Sequence, residues 1–319
     1  MYADGLNLSA RSAVVIDAEN GRVLYSKNAT APMTMASTTK IMTALLACEY
    51  GKGDEIVTVS QNAAYQEGSS MYLKVGEKVT VSELLWGLML PSGNDAAVAL
   101  AEHISGSVSA FAEKMTNRAH EIGALQTCFK NPNGLDEEGH ITTALDMAKI
   151  TAHAMNNKLF AEIAATWQKT TERATYTNHN KLLKMCDGVI GVKTGYTKKS
   201  GRCLVSACER GGKRIIAVTL NAPDDWSDHT KLFDYIYENY KLIIPVEGGS
   251  EFGEIMAENG ERVPVVCENN IGVFLSDAEA KNLEKYTDLP LKIALPVKRG
   301  QKVGKVTVTL NGVKMGECA

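Results

Sequence analysis

The sequence predicts a mixed α/β (α+β) protein in two parts, the second small and rich in β-structure. Three observations lead there. The chain has 319 residues, enough for a full core and for two domains. Up to Tyr240, amphipathic helical stretches alternate with short apolar strand-like runs. After Leu242 the helical periodicity stops, and alternating Val- and Gly-rich runs take over. The chain is therefore divided into residues 1–244 and 245–319, with Glu247-Gly248-Gly249-Ser250 read as a linker.

The elements follow in order. Residues 12–26 read as a hairpin: Ser12 to Asp17 is β-rich, Asn20-Gly21 is a strong turn signal, and Val23-Leu24-Tyr25 resumes the strand. After Pro32, Ser37 to Tyr50 reads as a helix. Ile41, Leu45 and Cys48 recur at three- and four-residue steps, and Ser37 stands at the N-cap. Ser82 to Leu90 and Asp95 to Ile104 are two more helices, broken by Pro91-Ser92-Gly93-Asn94. Residues 107–123 form an amphipathic helix ending near Gly123. Asn131-Pro132-Asn133-Gly134 is a turn cluster, and Thr143 to Asn156 is helical again. Val189 to Lys193, Cys203 to Ala207 and residues 214–220 read as strands, the first two adjacent, and Trp226 to Tyr240 as the last long helix. In the tail, Gly304 to Leu310 alternates before Asn311-Gly312. No internal repeat or low-complexity tract is present.

Bulk properties narrow the function classes. A 45% hydrophobic, 22% charged composition is that of an ordinary globular protein. The net charge of -3 gives no basic excess, so no nucleic-acid partner is expected. No run of 18 or more apolar residues occurs, and Met1-Tyr2-Ala3-Asp4-Gly5 lacks the basic and apolar regions of a secretory signal. Either the protein is cytoplasmic or a signal has been removed. The seven cysteines form no C-x-x-C pair and read mostly as buried small hydrophobes, the odd count leaving one thiol free unless it pairs between chains. His120-Glu121 opens like a metalloprotease helix, but Ala124 stands where the second histidine belongs. No metal and no cofactor are expected.

Three short motifs carry chemistry. Ser37-Thr38-Thr39-Lys40 has the form S-x-x-K; residues three apart share a helix face, so Lys40 can lie beside the Ser37 hydroxyl. A serine needs something to take its proton, and a lysine can do so when burial or a nearby cation lowers its pKa. Alone the motif says little, since roughly one copy arises by chance in a chain of this length. Ser92-Gly93-Asn94 has the form S-x-N, as do Ser26-Lys27-Asn28 and Ser60-Gln61-Asn62. Only Ser92 falls in a proline-marked break between two apolar helices, where a tight turn can project polar groups into a cleft. Lys193-Thr194-Gly195 ends an apolar strand, whereas the similar Lys199-Ser200-Gly201 lies in a polar turn. Gly195 lets a substrate backbone approach the strand. Each motif alone also reads as something bland: a capped surface helix, a helix cap, a strand-end lysine.

Taken in order on these elements, the motifs resemble those of the low-molecular-weight penicillin-binding proteins, specifically the secreted D-alanyl-D-alanine carboxypeptidases. Met35 to Met42, Asn131 to Asp136, Gly139 to Thr143 and Val192 to Thr197 add to the resemblance, which spans the whole chain. It implies a β-lactamase/transpeptidase-like fold: a mainly antiparallel sheet flanked by helices, an inserted helical subdomain, and the N-terminal hairpin joined to the strands of residues 189–220. The β-rich tail then corresponds to the family's second domain, which holds the catalytic domain away from the membrane. Relatives continue into an amphipathic anchor, which this chain, ending at Ala319, does not include.

The resemblance also implies roles. Ser37 attacks the carbonyl between two D-alanines, Lys40 takes its proton, and Ser92 relays it to the leaving D-alanine. Asn94 holds the substrate backbone or Lys40. Lys193 keeps the site electropositive, Thr194 binds the terminal carboxylate, and the backbone N–H groups of Ser37 and Tyr196 hold the oxyanion. Peptidoglycan stem peptides are the implied substrate, β-lactams the covalent inhibitors, and the space outside the cytoplasm the place of action. One position departs from the pattern: Asp225 stands where some relatives carry a carboxylate-binding arginine, which shifts that task to Thr194, Lys193 or Arg202. A β-lactamase or esterase, a D,D-endopeptidase and a non-catalytic peptidoglycan binder remain open at this point. No convincing E-x-x-x-N element of the class A β-lactamase kind is found between Ser92 and Lys193.

Overall fold

The computed structural model describes residues 6–319; Met1 to Gly5, the stretch read above for a signal, lie outside the described residues. Contacts divide the chain into two units, one ending at Asp234 and one spanning Tyr235–Ala319.

The first unit is built on a five-stranded sheet of order β2-β1-β9-β8-β7. Its strands are β1 (Ser12–Asp17), β2 (Val23–Lys27), β7 (Val189–Thr197), β8 (Gly201–Arg210) and β9 (Lys213–Leu220). Every pairing in it is antiparallel. The N-terminal hairpin therefore joins the strands of residues 189–220, as the resemblance implies. Its turn is stapled by Asp17, whose carboxylate accepts from the Glu19 N–H at 2.9 Å, while Gly21 takes φ +72°. All six residues of β1 are buried, a pattern that needs cover on both faces. One face carries α6 (Ala144–Ala154). Against β9 lies the start of α9 (Asp225–Asn239), where the His229 ring nitrogen meets Thr219 Oγ1 at 3.0 Å.

The helical subdomain surrounds α1 (Lys40–Tyr50), which is buried without interruption from Lys40 to Ala47. A helix apolar on all sides belongs inside its domain, so the narrower stripe of Ile41, Leu45 and Cys48 understated it. Around α1 stand α3 (Val81–Met89), α4 (Asn94–Ser105), α5 (Val108–Glu121) and α7 (Lys158–Ala165). Side-chain caps begin three of these surrounding helices: Thr80 on α3, Ser107 on α5 and Asn157 on α7. Minor elements complete the unit: α2 (Gln61–Ala64), α8 (Leu182–Met185), and the pairs β3 (Ile56–Thr58) with β4 (Lys78–Thr80) and β5 (Gln168–Thr170) with β6 (Thr175–Thr177). Short pieces such as these, and α7, lack a periodic pattern long enough to register in sequence.

Ser37 corrects one expectation. It does not cap α1; it sits in a 3₁₀ turn, Ala36–Thr39, that runs into the helix, and Thr39 at the N-cap makes no side-chain cap bond. Side chains at i and i+3 eclipse in a 3₁₀ helix, which stacks Lys40 directly over Ser37 and leaves the serine hydroxyl free.

The second unit is all β apart from a short 3₁₀ turn at Glu279–Asn282 and the end of α9. β10 (Lys241–Val246) pairs with β13 (Ile271–Leu275). β11 (Glu251–Ala257) lies between β12 (Arg262–Val266) and β15 (Lys292–Ile293). β16 (Lys305–Leu310) lies between β14 (Leu283–Asp288) and β17 (Val313–Cys318). Asn311 and Gly312, at φ 50° and 77°, make the two-residue turn that the Asn-Gly pair predicts. Glu247 to Ser250 is a turn inside this unit, with the Gly249 N–H donating to the Cys267 carbonyl at 2.8 Å. The pairing of β10 places residues 241–246 in the second unit, so the division falls earlier than the composition change.

No disulfide is present among the described residues, and the seven cysteines are free thiols. Cys267 and Cys318, both buried, lie within hydrogen-bonding range of each other. Among the described residues no helix is long and apolar enough to cross a membrane, and no metal-binding cluster occurs.

Candidate active site

Four segments of the first unit meet at Ser37: its own 3₁₀ turn, the break between α3 and α4, the Asn131–Gly134 turn, and the edge strand β7. Two glycines permit the approach. A Cβ at Gly195 would lie 2.9 Å from Ser37 N and 3.0 Å from Thr38 N, so only glycine lets β7 pass that close. A Cβ on Gly134 would fall on the Ala36 carbonyl. Ala36 and Ser92 themselves hold φ of +47° and +66°. Left-handed backbone at two non-glycine residues is costly, and such strain concentrates at functional sites.

Lys40 is the centre of the arrangement. Its Nζ lies 2.9 Å from Ser37 Oγ, and it donates to Asn94 Oδ1 at 2.6 Å and to the Asn133 carbonyl at 2.5 Å. The lysine is fully buried. Burial, and then the charge of Lys193, hold it well below the ordinary lysine value against the opposing influence of Asp95. The geometry fixes what deprotonation does. Asn94 Oδ1 and the Asn133 carbonyl can only accept, so a neutral amine spends both N–H groups on them. Its lone pair then faces the Ser37 hydroxyl.

Each partner is itself held. Asn94 Nδ2 donates to the Glu67 carbonyl at 2.6 Å, which orients Oδ1 toward Lys40. Asn131 Oδ1 accepts from the Gly134 N–H at 2.8 Å, and Thr43 Oγ1 donates to the Pro132 carbonyl at 2.6 Å. These bonds fix the turn that presents the Asn133 carbonyl. His140 Nδ1 accepts from the Lys130 N–H at 2.9 Å, so the proton sits on Nε2, which faces Thr39 Oγ1 at 2.8 Å. Burial pushes His140 down to about 4 and keeps it neutral.

Lys193 is buried, and burial alone brings it down to about 7; its Nζ donates to the Thr194 carbonyl at 3.1 Å. Its charge acts on Lys40 and on His179, an exposed residue whose N–H donates to the Leu90 carbonyl beside the Ser92 turn. Ser92 is buried, and its hydroxyl makes no hydrogen bond among the described residues. The Thr194 side chain is half-buried, and Tyr196 is exposed. Thr197 Oγ1 donates to Asp136 Oδ1 at 2.9 Å, joining two stretches that the sequence singled out separately.

The alternative motif copies have structural roles. Ser60 caps α2 and, with Asn62, binds Glu102. Ser26 and Lys27 belong to β2, and Lys199-Ser200 forms the turn between β7 and β8. Asp225 also has a clear place. Arg202, the cross-strand neighbour of Tyr196, donates through Nε and Nη2 to Asp225 Oδ1 at 2.9 and 2.7 Å and lies over the Trp226 ring. The aspartate at the departing position thus holds an arginine supplied by β8, and Nη1 of that arginine has no partner among the described residues. Sequence reasoning missed Glu67, the Asn133 carbonyl, His140 and His179 as parts of this site. The first acts through its backbone, which no motif records; the stretches holding Asn133 and His140 were noticed without a role.

A serine stacked on a buried, charge-depressed lysine, at the edge of an antiparallel sheet flanked by helices, defines an acylating serine hydrolase. Comparison with known proteins narrows the class. The D-alanyl-D-alanine carboxypeptidase family profile matches residues 2–224, and the profile of the penicillin-binding protein 5 C-terminal domain matches residues 240–318. The chain belongs to the D-alanyl-D-alanine carboxypeptidase family. It is 34% identical over 324 residues to the D-alanyl-D-alanine carboxypeptidase DacF of Bacillus subtilis, covering 97% of this chain and 83% of that protein. Penicillin-binding protein 5 of Haemophilus influenzae superposes with a TM-score of 0.78 at 28% identity, covering 99% of this chain and 96% of that one. A peptidoglycan synthesis regulatory factor of Streptococcus pneumoniae gives a TM-score of 0.87 at 26% identity, covering 96% and 94%.

Proposed function

We propose that this carboxypeptidase removes the terminal D-alanine from peptidoglycan stem pentapeptides, outside the cytoplasm, through an acyl-enzyme on Ser37. The observation that carries the reading is the hydrogen-bond set of Lys40, which leaves a neutral amine only Ser37 to turn to.

The steps follow. Ser37 Oγ attacks the carbonyl between the two D-alanines, and its proton passes to Lys40 Nζ. The oxygen that gains charge lies between the backbone N–H groups of Ser37 and Tyr196, the latter on the strand that Gly195 lets pass close to Ser37. Ser92, whose hydroxyl is unspent, passes the proton from Lys40 to the leaving nitrogen, and D-alanine departs. Asn94 keeps Lys40 aimed through these transfers. Lys193 supplies positive potential, and Thr194 Oγ1 together with the free guanidinium edge of Arg202 receives the terminal carboxylate. Water then attacks the ester, with Lys40 taking its proton, and Ser37 is restored. A β-lactam acylates Ser37 in the same way, but its opened ring stays attached and leaves a slowly hydrolysed ester.

Assay of a stem pentapeptide beside a cross-linked peptide dimer tests the substrate. The reading expects release of free D-alanine from the pentapeptide at least about tenfold faster than cleavage of the dimer. Faster cleavage of the dimer would make this an endopeptidase, and rapid turnover of penicillin would make it a β-lactamase.

A further inference from the structure

The second unit contains a cavity of about 480 Å³, inside the range of about 300–1,000 Å³ usual for small-molecule sites. Its wall is apolar, with Phe252, Ile255, Val265, Ile293 and Val306 among the lining residues. The cluster beside it closes only Ile255, Ala257 and Ile293 fully; Val263, Val265, Leu289, Val297 and Val303 stay partly exposed. A folded interior ordinarily fills such a space with side chains.

Two further features adjoin the cavity. On either side of β15 the chain exposes large apolar side chains: Leu291 is 94% and Leu295 48% accessible, with Pro290 and Pro296 exposed next to them. Isolated exposed leucines are ordinary, but here they sit in the segment whose Leu289, Ile293 and Val297 line the cavity. Charge is the other feature. Lys298, Arg299, Lys302 and Lys305 line the cavity, against a single acid, Glu268. Lys302 pairs with Glu268 at 2.8 Å and Lys305 with Glu317 at 3.3 Å. Lys298 and Arg299 have no ion-pair partner among the described residues and are exposed. They stand together on a tight turn, closed by the Gln301 N–H to the Lys298 carbonyl at 3.0 Å and by the Lys298 N–H to Gln301 Oε1 at 3.1 Å. Gly300 supplies the φ of +79° that the turn needs.

An apolar cavity, exposed apolar side chains on its covering segment and a fixed pair of unpaired cations are together complementary to an anionic amphiphile in a bilayer surface. We propose that the second unit binds an anionic phospholipid of a bilayer, one acyl chain entering the cavity while Lys298 and Arg299 hold the headgroup phosphate. Leu291 and Leu295 then lie at the level of the headgroups. This contact uses the unit's own residues and is separate from any anchoring segment elsewhere.

Co-sedimentation of the whole chain with phosphatidylglycerol or phosphatidylcholine vesicles tests the idea. Binding is expected on phosphatidylglycerol and at least about tenfold weaker on phosphatidylcholine. Lys298→Glu with Arg299→Glu lowers binding to phosphatidylglycerol at least about tenfold, since each cation near an anionic surface contributes a factor of about five. Leu291→Ser with Leu295→Ser, both at exposed positions, has an effect of similar size. Both double variants keep the wild-type rate of acylation by penicillin and the wild-type circular dichroism. Equal binding to the two vesicle types would overturn the proposal, as would binding indifferent to either double variant. Uptake of a free fatty acid without any vesicle binding would overturn the bilayer as its source.

Discussion

Strand β1 of the first unit and strand β14 of the second have the same length and opposite surroundings. All six residues of β1 are buried, whereas five of the six in β14 are exposed. The contrast extends to the units they belong to. Among the described residues the first holds a large apolar cluster from β1 through α1 to β9, and the second holds two small clusters, one of them open onto a cavity. Continuous burial is what the chemistry of the first unit requires. A lysine remains a base near neutral pH only where water cannot stabilise its charge, and Lys40 and Lys193 are among the largest fully buried side chains of the chain. Exposed lysines of the second unit, such as Lys285, have no such environment.

The contrast can be broken at several points. Lys40→Ala is expected to slow acylation by roughly 10²–10⁴-fold, the range for loss of a general base. Lys285→Ala, on exposed β14, leaves the rate unchanged; stopped-flow acylation by a chromogenic β-lactam measures both. Lys193→Met is the next largest, and its two effects have opposite sign. Activity falls because the site loses its positive potential. Stability rises, because burying this lysine costs on the order of a few kcal/mol. Between pH 7 and 10.5 the unfolded chain holds a proton on Lys193 that the folded protein lacks, so wild-type stability rises with pH across that window. Lys193→Met removes that slope, and melting curves at pH 6 and pH 9 should show a larger advantage for the variant at the lower value.

Arg202→Lys is a smaller perturbation. A lysine keeps the charge beside Asp225 but loses the planar fork that binds it at 2.9 and 2.7 Å. KM for the pentapeptide is expected to rise roughly three- to tenfold with kcat nearly unchanged. A fall in kcat at constant KM would remove Arg202 from carboxylate binding. The smallest effect belongs to the second unit. Gly312→Ala places a side chain at φ 77° and should cost about 1 kcal/mol in chemical denaturation without altering acylation.

What could be read in the sequence divides along the same physical line. Long periodic helices and the buried strands declared themselves, because their patterns are local. So did Ser37, Lys40, Ser92, Asn94 and Lys193, each carried by a motif a few residues long. The structure brings Ser37, Lys40 and Asn94 into direct contact and Lys193 close enough to act on Lys40. What sequence did not show is non-local or belongs to the backbone. The Asn133 carbonyl reaches Lys40 across 93 residues of chain, and His140 reaches Thr39 across 101. The 3₁₀ turn Ala36–Thr39 reads as a cap because both place a serine ahead of an apolar run. Asp225 was legible only as a departure; its meaning depends on Arg202, placed beside it by the pairing of β7 with β8.

The central claim is that Ser37 is the acylated residue and that the first unit's buried site activates it. The most direct measurement is the intact mass of the protein after brief exposure to penicillin, followed by mapping of the modified peptide. The account predicts one covalent adduct, on the peptide containing Ser37, formed by the wild type and absent from Ser37→Ala. An adduct that survives Ser37→Ala, or a wild type that gains no mass, would contradict it.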